Sequence, residues 1–342
     1  MKILVLKRDK IGDLLLTTPL LARLKAALPR AEVHLLANDY NAWVVAGNPH
    51  LDRLWVYRRV RHAGRVRFAA AWQWLLQGLA LRRERYDWVV VANGDESPRA
   101  IRRGLALRGA RTVARCADRS KYPGLTDALP PDAGSHEIER LLALLGPMGV
   151  SASGAETFPT YRLPEKSSAF ALNWLSGRGL LPGKFVVLGL GARRPKKQPG
   201  TVQVLAWSAH LKQRWGLDTV FMWTPGKADD PVYPGDDGVA QPVLDAASRG
   251  QAPQIHPFRG PIPEALGLIW SARTSIFPDS GLMQFAAASP GGVLGLFAES
   301  AVSPAPAQWA PRGPKADYLE ADKSVAELPE ALVYERLARL LA

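Results

Sequence analysis

Apolar residues fall into two patterns along the chain, short unbroken runs and longer stretches spaced by three and four, and the two alternate. Runs at Ile3–Leu6, Glu32–Ala37, Leu51–Tyr57, Trp88–Ala92 and Arg111–Arg115 predict strands. Between them, Leu14–Ala27, Tyr40–Ala46 and Ala69–Arg83 predict helices, and His136–Leu145 adds another. A βα alternation of this kind predicts a parallel sheet with helices on both faces. Residues 149–168, rich in Ser, Pro, Gly and Thr and without helical period, read as a linker, with the first domain ending near residue 150.

The pattern then restarts. Phe185–Leu190 is a strand, Val202–Trp215 a helix and Thr219–Trp223 a strand. Pro242–Ser248 and Ile262–Ser271 are helices, Thr274–Phe277 a strand, Leu282–Ala288 a helix and Val293–Phe297 a strand. A terminal helix within Val325–Ala342 needs a docking surface for Leu332, Val333, Leu337 and Leu340. The expected domains are thus 1–150, a linker at 151–168, 169–325, and a helix at 326–342 packing back on the N-terminal domain.

Composition refines this only in places. The chain has 342 residues, 47% hydrophobic, and mean hydropathy −0.09, enough for two buried cores. Cys116 is the sole cysteine, which excludes an internal disulfide and suggests a reducing compartment. Met1–Leu6 is too short for a signal-peptide apolar region, and no run approaches a membrane span, so a cytoplasmic protein is expected.

Charge changes the picture more. The net charge is +13, which calls for a polyanionic partner or an anionic membrane surface, and arginines crowd Tyr57–Arg67, Arg82–Arg85, Arg99–Arg103 and Arg108–Arg115. Aromatic residues are not interleaved with them as in a base-stacking platform, and no nucleic-acid-binding signature is present, so nucleic acid is not the expected partner. The tryptophans read mainly as core residues. Trp72 and Trp74, beside the arginines, are also suited to touching lipid or an acceptor.

Three turns carry candidate chemistry. Gly12-Asp13 follows the first strand, where Asp13 serves equally as a helix cap or as a carboxylate acting on a ligand. Arg193, Arg194, Lys196 and Lys197 lie between a strand and a helix, a setting that suits phosphate or a solvated basic loop. Asp279-Ser280-Gly281-Leu282 opens another helix, as an N-cap or as a phosphate turn. Asp229-Asp230 and Asp236-Asp237 read as solvated acids, the histidines lack ligand spacing, and no metal is expected.

Taken together, the stretches KILVLKRDKIGDLLLTTPLLARLKAALPRAEVHLLA, GNPHLDRLWVY, RYDWVVVANG, HEIERLLALL, GLGARRPKKQP and FPDSGLMQFAAA resemble the family 9 glycosyltransferases, the bacterial ADP-heptose lipopolysaccharide heptosyltransferases, over nearly the full chain. The resemblance implies a GT-B fold, two Rossmann-like doubly wound domains facing a central cleft, and inversion at the anomeric carbon. It makes Asp13 the catalytic base. It gives the donor Ala192, Arg193, Lys196 as the best match to the donor-phosphate lysine with Lys197 as a neighbouring candidate, Trp223, Asp279, Ser280, Gly281, Leu282 and Gln284, and the acceptor Lys7, Arg8, Arg58, Arg59, Arg61, Arg65 and Arg67. It further implies a nucleotide-sugar substrate such as ADP-heptose with no cofactor, and an anionic acceptor of the lipid A–Kdo type met peripherally at the inner membrane's cytoplasmic face.

Some positions depart from the family pattern. Gln284 stands where many members carry His, Gln198 where many carry Trp, Lys227 near a usual ribose-binding Glu, and Phe297-Ala298-Glu299-Ser300 where Phe-Gly-Pro-Thr is usual. Another sugar, a protein acceptor such as an autotransporter, or a catalytically weak nucleotide-sugar or polyanion-binding protein therefore remain alternatives.

Overall fold

The computed structural model describes the chain except residues 59–60, 63–64, 67, 153–157, 192–193, 228, 231–234 and 300–304; of 61–62, 65–66, 68–71 and 74 it describes the backbone alone. Two compact units result, Met1–Arg162 and Leu163–Ala342.

The first unit contains strands β1 (Lys2–Leu6), β2 (Glu32–Asn38), β3 (Arg53–Tyr57), a two-residue antiparallel pair β4 (Arg61–His62) and β5 (Arg65–Val66), then β6 (Trp88–Val91), β7 (Arg111–Arg115) and β8 (Asp127–Leu129). Its main sheet is parallel in the order β3-β2-β1-β6-β7-β8. Central strands of such a sheet are covered on both faces, which is why Ile3–Leu6 reads as one apolar run and is fully buried. Leu6 pairs with Leu36 on one side and Val91 on the other. The order reverses at β1 and β6, and the crevice beyond their carboxyl ends is where such sheets bind ligands.

The second unit repeats this topology with β9 (Phe185–Gly189), β10 (Asp218–Met222), β11 (Ile255–Phe258), β12 (Thr274–Pro278), β13 (Val293–Phe297) and β14 (Ala316–Glu320), in the order β11-β10-β9-β12-β13-β14. Its reversal lies at β9 and β12. Both units are doubly wound α/β folds, as expected.

Several expectations are corrected. The single helix Leu14–Ala27 is two, Ile11–Leu15 and Thr18–Ala27, because Pro19 suits a first turn but has no N–H to continue a preceding helix. The division between units falls after Arg162, and a helix, Glu165–Ser176, begins inside the expected linker. Residues ahead of that point are fastened to the first unit: Thr160 N donates to Thr18 Oγ1 at 2.9 Å, and the Tyr161 ring meets Trp43 edge-on.

The terminal helix is Glu330–Leu341. Expected on the N-terminal domain, it instead buries Val333, Leu337 and Leu341 in the second unit's own core with Leu211, Leu294 and Leu319. Each such side chain contributes about 2 kcal/mol of burial.

Candidate functional site

The first unit's site begins where β1 ends. Lys7 follows the strand and is only 1% exposed, with its Nζ 3.2 Å from Asp9 Oδ2 and 3.5 Å from Glu137 Oε1. Burial alone would lower this ammonium's pKa, but the carboxylates of Asp9, Glu137 and Asp13 outweigh it and hold Lys7 above its ordinary range. The loop is anchored from β2, since Asn38 Nδ2 donates to Arg8 O at 2.8 Å and Asn41 Nδ2 to Asp9 O at 2.9 Å. Asn93, just past β6, donates its Nδ2 to Asp9 Oδ2 at 2.7 Å.

Glu137 enters this cluster from the helix Glu137–Ala143, whose N-cap His136 accepts from Ile138 N. Its Oε1 accepts from Gly94 N at 3.2 Å, and a Cβ on residue 94 would lie 2.0 Å from Glu137 Oε2, so a larger residue there would push this carboxylate aside. Glu137 is 3% exposed, a buried carboxylate that the Lys7 charge makes tolerable. Sequence reasoning missed its role. The stretch HEIER marks a capped helix, and nothing in it shows that the helix start faces Lys7.

Asp13 is the third residue of the helix Ile11–Leu15, and its Oδ2 accepts from Lys10 N at 3.0 Å. The capping role anticipated for it is therefore present. Burial pushes the Asp13 carboxyl above its ordinary range; Lys7 opposes this, and the charges of Asp9 and Glu137 add to it. The result is a carboxylate that holds a proton better than a surface aspartate, while a buried cation limits the shift.

Lys7, expected to meet an acceptor, is corrected to an internal counter-ion, since its Nζ is turned into the carboxylate cluster and away from solvent. Arg8 is half-buried, donating from Nε to Tyr57 OH at 2.9 Å, and Arg58 is exposed. Arg59 and Arg67, and the side chains of Arg61 and Arg65, lie outside the described residues.

In the second unit the corresponding crevice holds the turn after β9 and the turn after β12. Lys197 closes the single helical turn Pro195–Lys197, is 8% exposed, and places Nζ 2.5 Å from Asp279 Oδ2. Lys196 is exposed. The sequence favours Lys196 over its neighbour Lys197, yet Lys197 is the one the fold joins to the Asp279 turn. Ser280 is the N-cap of the helix Gly281–Ala287, with its Oγ accepting from Met283 N at 3.4 Å. Gly281 and Leu282 open that helix, and Gln284 is buried within it, donating Nε2 to Trp309 O at 2.8 Å. Ala192 and Arg193 lie outside the described residues.

Trp223 begins the turn that follows β10, and that turn is held by the acids expected to be solvated. Asp236, 3% exposed, accepts from Thr224 N at 2.8 Å and Gln198 Nε2 at 2.5 Å. Asp237 accepts from Trp223 Nε1 at 3.2 Å and Gly226 N at 2.9 Å. A sharp turn leaves backbone N–H groups without partners, and these carboxylates supply them. Asp229 and Asp230 are exposed, as expected. Among the described residues no cluster of His, Cys, Asp and Glu could hold a metal ion, and no helix is long and apolar enough to cross a membrane.

Two doubly wound units, each with charged side chains collected at its topological switch point, define a protein of the GT-B fold class. No protein-family model and no curated protein matches the sequence. Solved structures do match along the whole chain. The glycosyl transferase family 9 protein from Veillonella parvula DSM 2008 is similar at 18% identity and a TM-score of 0.80, over 99% of this chain and 97% of that one. E. coli ADP-heptose lps heptosyltransferase II is similar at 20% identity and 0.75, over 100% and 98%. E. coli heptosyltransferase WaaC with ADP is similar at 16% identity and 0.71, over 99% and 100%. At these identities the likeness establishes the fold.

Proposed function

We propose that the protein is an inverting glycosyltransferase of the family 9 type. It transfers a heptose or related sugar from a nucleotide-diphosphate donor, ADP-heptose being the first to test, to an anionic lipopolysaccharide inner-core acceptor. The observation that carries this is the Asp13 carboxylate beyond β1, raised by burial and by neighbouring acids, with Lys7 buried beside it.

Asp13 accepts the proton of an acceptor hydroxyl as that oxygen attacks the donor's anomeric carbon. The bond from that carbon to the diphosphate breaks on the opposite face, and the electron pair leaves with the nucleoside diphosphate. A raised carboxylate is the better proton acceptor, and Lys7 keeps it ionised for the task. The second unit supplies the donor's groups. Lys197, positioned by Asp279, supplies positive charge to the diphosphate, Ser280 to Leu282 orient it, Lys196 stands next to them, and Trp223 flanks the nucleoside. Arg8 and Arg58, with Arg59, Arg61, Arg65 and Arg67, draw in the acceptor's phosphates and carboxylates.

The test is donor turnover with a lipopolysaccharide-core acceptor for the wild type and Asp13→Asn. Loss of turnover with nucleotide binding retained is expected. Equal rates would remove the base, and absence of turnover with any nucleotide sugar, despite binding, would favour a nucleotide-sugar-binding protein.

A further inference from the structure

The helix Phe68–Arg83 turns one apolar face to the outside among the described residues. Its inner side is fixed, with Leu81 2% exposed and Gln77 Nε2 donating to Val56 O at 2.9 Å. On the outer side Trp72, Leu75, Leu76 and Leu79 are 63%, 47%, 49% and 42% exposed. Spacings of three, one and three place all four on one stripe, where a helix facing water carries polar residues. Among the described residues, every other helix presents at most one such exposed large apolar side chain. Leu75 and Leu79 also border a small cavity of about 60 Å³ walled by Leu36, Tyr57 and Leu107 and reached by Arg82.

The charge beside the stripe is predominantly positive. From Arg53 to Arg83 the sequence has eight arginines and no acidic residue, and Arg82, Arg83 and Arg85 at the helix end are exposed, while Glu84 between them is taken up by Lys2 and Arg53. A second copy of the chain would set these arginines against one another on a protein of net charge +13. A nucleic acid would leave four apolar side chains in water. An anionic bilayer satisfies both features, since its headgroups take the arginines and its acyl boundary takes the stripe.

We propose that this face of the helix docks the protein on an anionic lipid surface, with Trp72 and Leu76 entering the headgroup boundary and the flanking arginines pairing with lipid phosphates. It deepens the acceptor assignment above, in which the acceptor is lipid-borne, yet it is read from vesicles alone, so the two fail separately.

The full chain is sedimented with vesicles of phosphatidylcholine containing about one-third phosphatidylglycerol, and with pure phosphatidylcholine. The wild type binds the anionic vesicles and binds the neutral ones weakly. Trp72→Ser with Leu76→Gln weakens binding about tenfold or more, whereas Trp72→Phe with Leu76→Met retains it. Both positions are exposed, so the melting temperature should hold; independently of the polar variant, brominated acyl chains should quench tryptophan emission in the wild type and less in Trp72→Phe. Absence of binding to anionic vesicles, equal binding by the polar variant, equal quenching in Trp72→Phe, or a concentration-dependent dimer that the polar variant dissolves would each overturn the docking face.

Discussion

Lys7 Nζ stands 3.5 Å from Glu137 Oε1, so a residue at the end of the first strand and one at the start of a helix far along the chain share one buried charge pair. Around them Asp9 and Asp13 make three carboxylates to one ammonium, and this imbalance sets the protonation behaviour of the cluster.

Removing the cation exposes that imbalance. Lys7→Met should cost about 3–5 kcal/mol, because it removes the buried ammonium that faces the carboxylates of Asp9, Asp13 and Glu137. Lys7 is raised in the fold, so its contribution is fully present below its unfolded-state pKa and fades only as pH rises through its folded value, at strongly alkaline pH. Denaturant melts of the wild type and the variant across neutral and alkaline pH check this, with the difference largest near neutrality.

The rate profile should carry the mark of a raised base. The acid limb of kcat/KM lies above the range of an unperturbed aspartate, and activity rises with pH as Asp13 ionises. In any Lys7→Met protein that remains folded, the limb moves further up, because the larger of the two influences lowering Asp13 is gone and only the Lys10 N–H hydrogen bond remains. A limb in the ordinary carboxylate range in both proteins would contradict the electrostatics.

Lys197 and Lys196 should behave differently. Lys197→Met breaks the pair with Asp279 and should raise donor KM and lower stability, by about 3 kcal/mol for so buried an ion. Lys196→Met, at an exposed position, should change stability by about 0.5 kcal/mol or less. Thermal melts and donor titrations of both variants, with Asp279→Asn completing a double-mutant cycle, decide between them.

Gly94→Ala tests the packing of the cluster. The added methyl meets the Glu137 carboxylate at 2.0 Å, so that carboxylate must turn away from Gly94 N and Lys7, at a cost of about 1–3 kcal/mol. An unchanged melting temperature would show that Glu137 is not held where Lys7 meets it.

Much of this was legible from residues alone. Central strands such as β1 and β9 are covered on both faces, so their apolar runs stand out, and the ligand-facing turns follow directly from them. The elements that went unread include β8, β11 and β14, all at sheet edges, short or interrupted by polar residues and Pro257, where half-exposure erases the pattern. The burial of Lys7 was equally hidden, since a lysine after a strand reads as a surface cation until the sheet order brings Glu137 beside it. Lys196 and Lys197 are adjacent in sequence, and only the direction of the turn Pro195–Lys197 sends one inward. Asp236 and Asp237 looked solvated because the backbone donors they satisfy belong to a turn made earlier in the chain.

The most direct measurement is turnover by Asp13→Asn. Asparagine keeps the oxygen that accepts from Lys10 N and removes a charge that burial disfavours, so the variant should melt no lower than the wild type near neutral pH. Its kcat for sugar transfer from ADP-heptose to a lipopolysaccharide-core acceptor should nevertheless fall by about 10²–10⁴-fold, with donor binding unchanged. A folded Asp13→Asn protein that transfers sugar at the wild-type rate would contradict the assignment of Asp13 as the base.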